Sequence, residues 1–199
     1  NVAGARRAVE HLLELGHRRI GFVGGSLRSP SFRERLEGYR AALTAAGLAV
    51  DDGLVQLGES RGGHENMMKL LDLAEPPTAV FACNDVNAVR AVKAARERGL
   101  RVPEDLSVIG FDDASCAMET WPHLTTMRVD AEEMGRLAVR RLVARITGHK
   151  GPAEESILVS RLVARDSTTS PKGARGGPHL EMRKQSENMI PCNLQGVPT

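Results

Sequence analysis

The chain has 199 residues, 41% of them hydrophobic and 26% charged, enough to bury one substantial core and part of a second. A formal net charge of +2 with only four Phe, one Tyr and one Trp offers neither a strongly basic surface nor many stacking platforms for bases, so control of DNA by this stretch itself is not expected. The longest apolar runs, such as Ala79 to Cys83, fall far short of the roughly 20 residues that cross a bilayer, and no signal peptide opens the sequence, so the chain reads as soluble and cytoplasmic, with no membrane partner.

In chain order, Ala5, Ala8, Val9, Leu12 and Leu13 recur at helical spacing from Val2 to Leu15, and Gly16-His17-Arg18 reads as the stop, with His17 complementing the helix C-terminus. Ile20 to Val23 is a buried strand. A loop rich in Gly, Ser and Pro spans Gly24 to Ser31, and Leu36, Tyr39, Ala42, Leu43 and Ala46 then give a second helix ending at Gly47. Leu54 to Leu57, Thr78 to Ala82 and Leu106 to Phe111 read as short strands, with helices over Asn66 to Leu73 and Asp85 to Arg98 between them. Leu124 to Val129 is a further extended stretch, followed by a helix from Asp130 to Thr147 with Met134, Ala138, Leu142 and Ile146 as its apolar stripe, and by a strand from Ser156 to Val163. Beyond Ser167 the periodicity stops, and residues 167–199 read as a disordered tail. Short apolar strands alternating with amphipathic helices predict an α/β fold, a doubly wound parallel sheet with helices on both faces.

In such a sheet ligands sit beyond the carboxyl ends of the strands, so the residues just after each strand carry the chemistry. After the first come Gly24, Gly25, Ser26 and Arg28, with Arg33 and Arg35 entering the next helix. Glu59 and Ser60 follow the second strand, Asn84 and Asp85 the third, Asp112 and Asp113 the fourth. An arginine, an amide and carboxylates around a crevice suit a polyhydroxylated ligand, because hydroxyls both donate and accept and planar groups grip them in pairs. Each also has a plain structural reading: Asp85 as a helix cap, Asn84 in a turn, Arg35 as a solvated charge. Gly21-Phe22-Val23-Gly24-Gly25 is not the dinucleotide G-x-G-x-x-G pattern, and no G-x-S-x-G, H-E-x-x-H or phosphate-loop lysine occurs. Three widely spaced cysteines, Cys83, Cys116 and Cys192, argue against a disulfide framework and against structural zinc, so no metal, no cofactor and no enzymatic activity are expected.

Ala3-Gly4-Ala5-Arg6-Arg7-Ala8-Val9-Glu10-His11-Leu12-Leu13, Leu15-Gly16-His17-Arg18-Arg19-Ile20-Gly21-Phe22, Arg35-Leu36-Glu37-Gly38-Tyr39 and Phe81-Ala82-Cys83-Asn84-Asp85 appear in that order. They are followed by Val102-Pro103-Glu104-Asp105-Leu106-Ser107-Val108-Ile109-Gly110-Phe111-Asp112-Asp113 and Pro122-His123-Leu124-Thr125-Thr126. Their order and spacing over residues 1–167 resemble the lactose/galactose repressor family of bacterial transcription regulators.

That resemblance implies a two-lobed sensor like the periplasmic sugar-binding proteins, joined to a helix-turn-helix DNA reader that this sequence does not contain, with the first lobe largely missing too. Residues 1–126 would be the second lobe, 127–150 a crossover strand and helix belonging to the first, 151–166 a returning strand and 167–199 the tail. The implied function is the effector-binding and dimerisation region of a homodimeric repressor sensing a small polar molecule, a sugar or sugar derivative, and touching DNA only through the absent domain. Carried over by position, Arg35, Asn84 and Asp112 would grip the effector, Arg28 and Ser29 would lie in a loop adding a contact, and Asp85 would orient Asn84 or cap its helix. Two departures stand out: no aromatic follows the second strand over Leu57 to Gly63 to stack on a ring, and Arg90 stands where the family carries a small Gly. The competing reading is a periplasmic sugar receptor feeding a transporter, which shares the fold; an enzyme using Asp85, Asp112 or Asp113 as acid or base is weaker still.

Overall fold

The computed structural model describes residues 1–58, 62–148, 151–152 and 155–173. Helix α1 (Val2–Glu14) turns Ala5, Ala8, Val9 and Leu12 inward, the spacing read from the sequence. It stops where Gly16 takes a φ of 100°, a left-handed turn that costs glycine least, so that Gly16 N–H donates to Leu13 O and His17 N–H to Leu12 O. The same pair of bonds closes α2 (Pro30–Ala45) at Gly47, and Leu48 just beyond it packs on the core.

Strands β1 (Ile20–Val23), β2 (Val55–Gln56), β3 (Ala79–Ala82), β4 (Ser107–Asp112), β5 (Thr125–Arg128) and β6 (Arg161–Val163) form one sheet in the order β2-β1-β3-β4-β5-β6. All pairings through β5 are parallel; β6 runs antiparallel to β5, so the sheet is mostly rather than wholly parallel. Helices α1 and α2 cover one face, where Phe22, Tyr39, Phe81 and Phe111 stack in a row with ring centroids 5.4 to 6.5 Å apart. Helices α3 (Gly63–Leu71) and α4 (Asp85–Glu97) cover the other with Met67, Leu70, Ala88, Ala91 and Val92. A four-residue helix α5 (Cys116–Glu119), too short to show a period, joins β4 to β5.

Three expectations change. The strand expected over Ser156 to Val163 shrinks to β6, because Arg161 already pairs with Arg128 at the end of β5. Among the described residues, 155–160 pair with no strand, and Ile157 and Val159 are 82% and 80% exposed. The expected tail does not begin at Ser167. Ser167 is buried: its Oγ donates to Val108 O at 2.6 Å and accepts from Thr125 N–H at 2.8 Å, while Val108 N–H donates to its carbonyl. Residues 174–199 lie outside the described residues. Finally, His17 does more than complement a helix end. Its ring is buried, with Nδ1 2.9 Å from Thr78 Oγ1 and Nε2 2.8 Å from Thr169 O, and burial lowers its pKa.

Helix α6 (Ala131–Ile146) is capped as expected, Asp130 accepting from Glu133 N–H at 2.9 Å, yet none of its residues is buried. Met134, Leu142 and Ile146 stand 51%, 60% and 75% exposed. Among the described residues no helix is long and apolar enough to cross a membrane.

The Ser167 hydroxyl stitches β4 to β5, so Ser167→Ala strands a buried carbonyl and a buried amide at once. A loss of about 1–3 kcal/mol in urea unfolding is expected; a change under about 0.5 kcal/mol, ordinary for a surface site, would contradict this reading.

Candidate functional site

The strand order reverses between β1 and β3, which places a crevice beyond their carboxyl ends. The loop after β1 runs along one rim. Gly24 N–H extends the ladder to Gln56 O, Ser29 holds the N-cap position of α2 without a side-chain capping bond, and Arg28 is exposed. Buried Asn66 of α3 fixes this loop by donating to Gly24 O at 2.9 Å. Sequence reasoning missed it; its signal was an amide set among Met67 and Leu70 on a helix's apolar face.

Arg35, projecting inward from α2, is only 7% exposed. Its Nη1 donates to Cys83 O at 2.6 Å, its Nη2 to Asp112 Oδ1 at 2.8 Å and its Nε to Asn1 Oδ1 at 3.1 Å, and the guanidinium lies 3.8 Å over the Phe111 ring. Arginine thereby ties the end of β3 to the end of β4. Three of its five N–H groups are used, which leaves two for a ligand. Asp112 is the more open partner, its side chain 41% exposed; burial raises its pKa and the Arg35 charge pulls the other way.

Asn84 follows β3 and caps α4, its Oδ1 accepting from Asn87 N–H at 3.0 Å and Asn87 Nδ2 at 2.9 Å. Its own amide nitrogen takes no part in the cap. The structural reading of Asp85 as the cap therefore moves to Asn84.

Asp85 is 1% exposed and turned under β4: Oδ2 accepts from Ala114 N–H at 2.7 Å and Oδ1 from Thr126 Oγ1 at 2.5 Å. A Cβ at Gly110 would collide with that carboxylate, so glycine is what lets it sit there. Arg35, Asn84 and Asp112 thus gather at one rim with Arg28 and Ser29 on the neighbouring loop, whereas Asp85 lies beneath it with both oxygens occupied.

The rim is strained. Asp112 and Asp113 have φ of 111° and 59°, conformations that cost non-glycine residues on the order of 1–3 kcal/mol each. They persist because neighbours hold them. Arg35 bonds Asp112, while Arg128 and Arg165 clamp Asp113 at 2.5 and 2.6 Å, closing a cluster that spacing alone did not reveal. Cys83, buried just beyond β3, has its thiol pushed up to about 11 by burial, which disfavours the thiolate.

A doubly wound lobe with a polar, carboxylate-and-guanidinium rim at its switch point is a ligand-binding lobe in class. The family profile described as a periplasmic binding protein-like domain matches residues 9–168. The regulator CelR of Thermobifida fusca is 40% identical over 84% of the chain and 50% of its own length. The repressor PurR of Haemophilus influenzae is 44% identical over 74% of the chain and 44% of its own. Among solved structures, a CelR–cellobiose complex superposes with a TM-score of 0.80 at 40% identity, over 83% of this chain and 51% of that one. A lac repressor dimer bound to operator superposes at 0.76 and 33% identity, over 84% and 58%. The chain belongs to the periplasmic binding protein-like domain family, in the form carried by LacI-family regulators. It spans about half the length of the curated relatives it matches.

Burial pushes Asp85 up to about 6, against the bonds from Thr126 and Ala114 and with Asp112 and Asp113 adding to the rise. This lies above the unfolded carboxyl value of roughly 3.9, so the native state holds the proton more tightly. Its contribution to stability is full below about pH 4 and is lost as the pH rises through about 6. Asp85→Asn cannot ionise. Between about pH 4 and 7 the unfolding free energy of that variant should rise relative to wild type by about 1–3 kcal/mol, read by urea denaturation. A difference independent of pH would contradict the assignment.

Proposed function

We propose that this chain is the effector-binding and dimerisation region of a DNA-binding transcriptional repressor that senses a sugar. The observation that carries the reading is Arg35, buried and fixed between Cys83 O and Asp112 Oδ1, with two N–H groups left to pair with hydroxyls beside the more exposed Asp112 carboxylate. Asn84, Arg28 and Ser29 complete the wall. The relatives named as transcriptional regulators and the cellobiose complex of CelR support the ligand class, and the lac repressor solved as a dimer on operator supports a homodimer.

On this reading α6 belongs to a companion lobe that covers its apolar stripe, while Met127 and Arg128, expected to start that crossover, stay in β5 of this lobe. The effector sits between the lobes and favours one arrangement of them, which changes operator affinity through a separate DNA reader, in the cytoplasm. No step of chemistry on the ligand is involved.

Calorimetry of the full-length protein against a panel of sugars that includes cellobiose should find a ligand. Asp112→Asn keeps the side-chain volume and removes the negative acceptor, and should weaken that ligand by about 10- to 100-fold, as loss of one charge-assisted hydrogen bond does. Unchanged affinity would remove Asp112 from the site.

A further inference from the structure

Asp85 is the first residue of α4, directly after Asn84, and its carboxylate passes beneath the end of β4 through the space that Gly110 leaves open. There it accepts from Ala114 N–H at 2.7 Å and from the Thr126 hydroxyl at 2.5 Å. Ala114 is the residue immediately after the two left-handed residues Asp112 and Asp113. A turn of that kind persists only where its neighbours hold it in place. Its start is held by Arg35 on Asp112 Oδ1 and by Val129 N–H on Asp112 O; its middle by Arg128 and Arg165 on Asp113; its end by Asp85.

We infer that Asp85 is a positioning residue for the crevice: without touching the effector, it fixes the Asp112–Asp113 turn through the Ala114 amide and so sets the aim of the Asp112 carboxylate relative to Asn84. The inference rests on the reading of Asp112 and Asn84 as effector contacts. Because Asp85 is bonded covalently to Asn84 and by hydrogen bond to the turn after Asp112, the two contacts behave as one rigid unit. A movement of the α4 start relative to β4 would have to break the Asp85–Ala114 bond.

The test uses amide hydrogen exchange and sugar calorimetry on the full-length protein, with cellobiose as probe. In wild type the Ala114 amide exchanges at least about tenfold more slowly than those of its exposed neighbours. Fast exchange there overturns the proposal whether or not any variant folds. Asp85→Ala removes both acceptor oxygens and leaves the Ala114 amide without its partner. It should speed exchange at residues 112–114 by about tenfold or more while Phe22 and Phe81 in the core stay protected, and weaken cellobiose by about tenfold. Ser167→Ala lowers stability from the opposite end of the sheet, and should leave cellobiose affinity within about twofold. Equal acceleration of every amide in Asp85→Ala, or an equal loss of affinity in Ser167→Ala, reduces Asp85 to a general stability role and overturns the proposal. Failure of wild type to bind any sugar defeats the functional reading instead, and the exchange data still judge Asp85.

Discussion

The crevice depends on one buried cation. A guanidinium cannot shed its charge, so its removal from water has to be offset in place. Around Arg35 the offset comes from a backbone carbonyl, a carboxylate, an amide oxygen and an aromatic face. These partners come from three parts of the chain far apart in sequence: the start of α1, the end of β3 and the end of β4. Displacing any of them leaves part of that charge uncompensated in a low-dielectric setting. The spacing of β3 and β4 at the crevice is therefore set by electrostatics, where packing alone would tolerate small slips.

The rest of the sheet shows a similar division of labour. The two apolar layers supply cohesion, which is non-directional and forgiving of register. Direction comes from single buried polar groups placed at the ends of strands. Ser167 and His17 work at the amino end, Asn66, Asp85 and Arg35 at the carboxyl end. Each satisfies backbone groups that the ladder leaves open where strands stop. The left-handed pair Asp112–Asp113 sits where these devices are densest, and the strain of that turn is tolerated because four side chains converge on it.

Where sequence reasoning succeeded, a repeating signal stood behind it. Helix stripes, strand runs and glycine stops are periodic or local, and α1, β1, β3 and α4 lie within a residue or two of their expected bounds. The convergence of Arg35 with Asp112 was also legible, because the topology sends both to the same sheet edge. What stayed hidden depends on non-local geometry. Nothing in the string around Asp85 says that its side chain turns under β4 instead of into the crevice; that follows from the gap at Gly110, 25 positions on. Nor does the polar run Ser167-Thr168-Thr169 announce a strap: its composition is that of a loop, and only the open edges of Val108, Thr125 and His17 give it partners.

Helix α6 bears on what such a rim can do alone. An amphipathic helix derives most of its stability from burying one face, and here no residue of α6 is buried. On the proposed reading its exposed stripe and the polar rim share a cause, since each is one half of a two-sided arrangement. On an open rim a sugar hydroxyl exchanges bonds to water for bonds to Arg35 and Asp112 at little net gain, because the protein groups were hydrated to begin with. Once a second wall covers the site, water is excluded, the same bonds strengthen, and any unmatched hydroxyl becomes costly. On that reading selectivity among sugars is a property of closure. The lobe contributes the fixed half of it: a rim whose arginine, carboxylate and amide are already oriented before the ligand arrives.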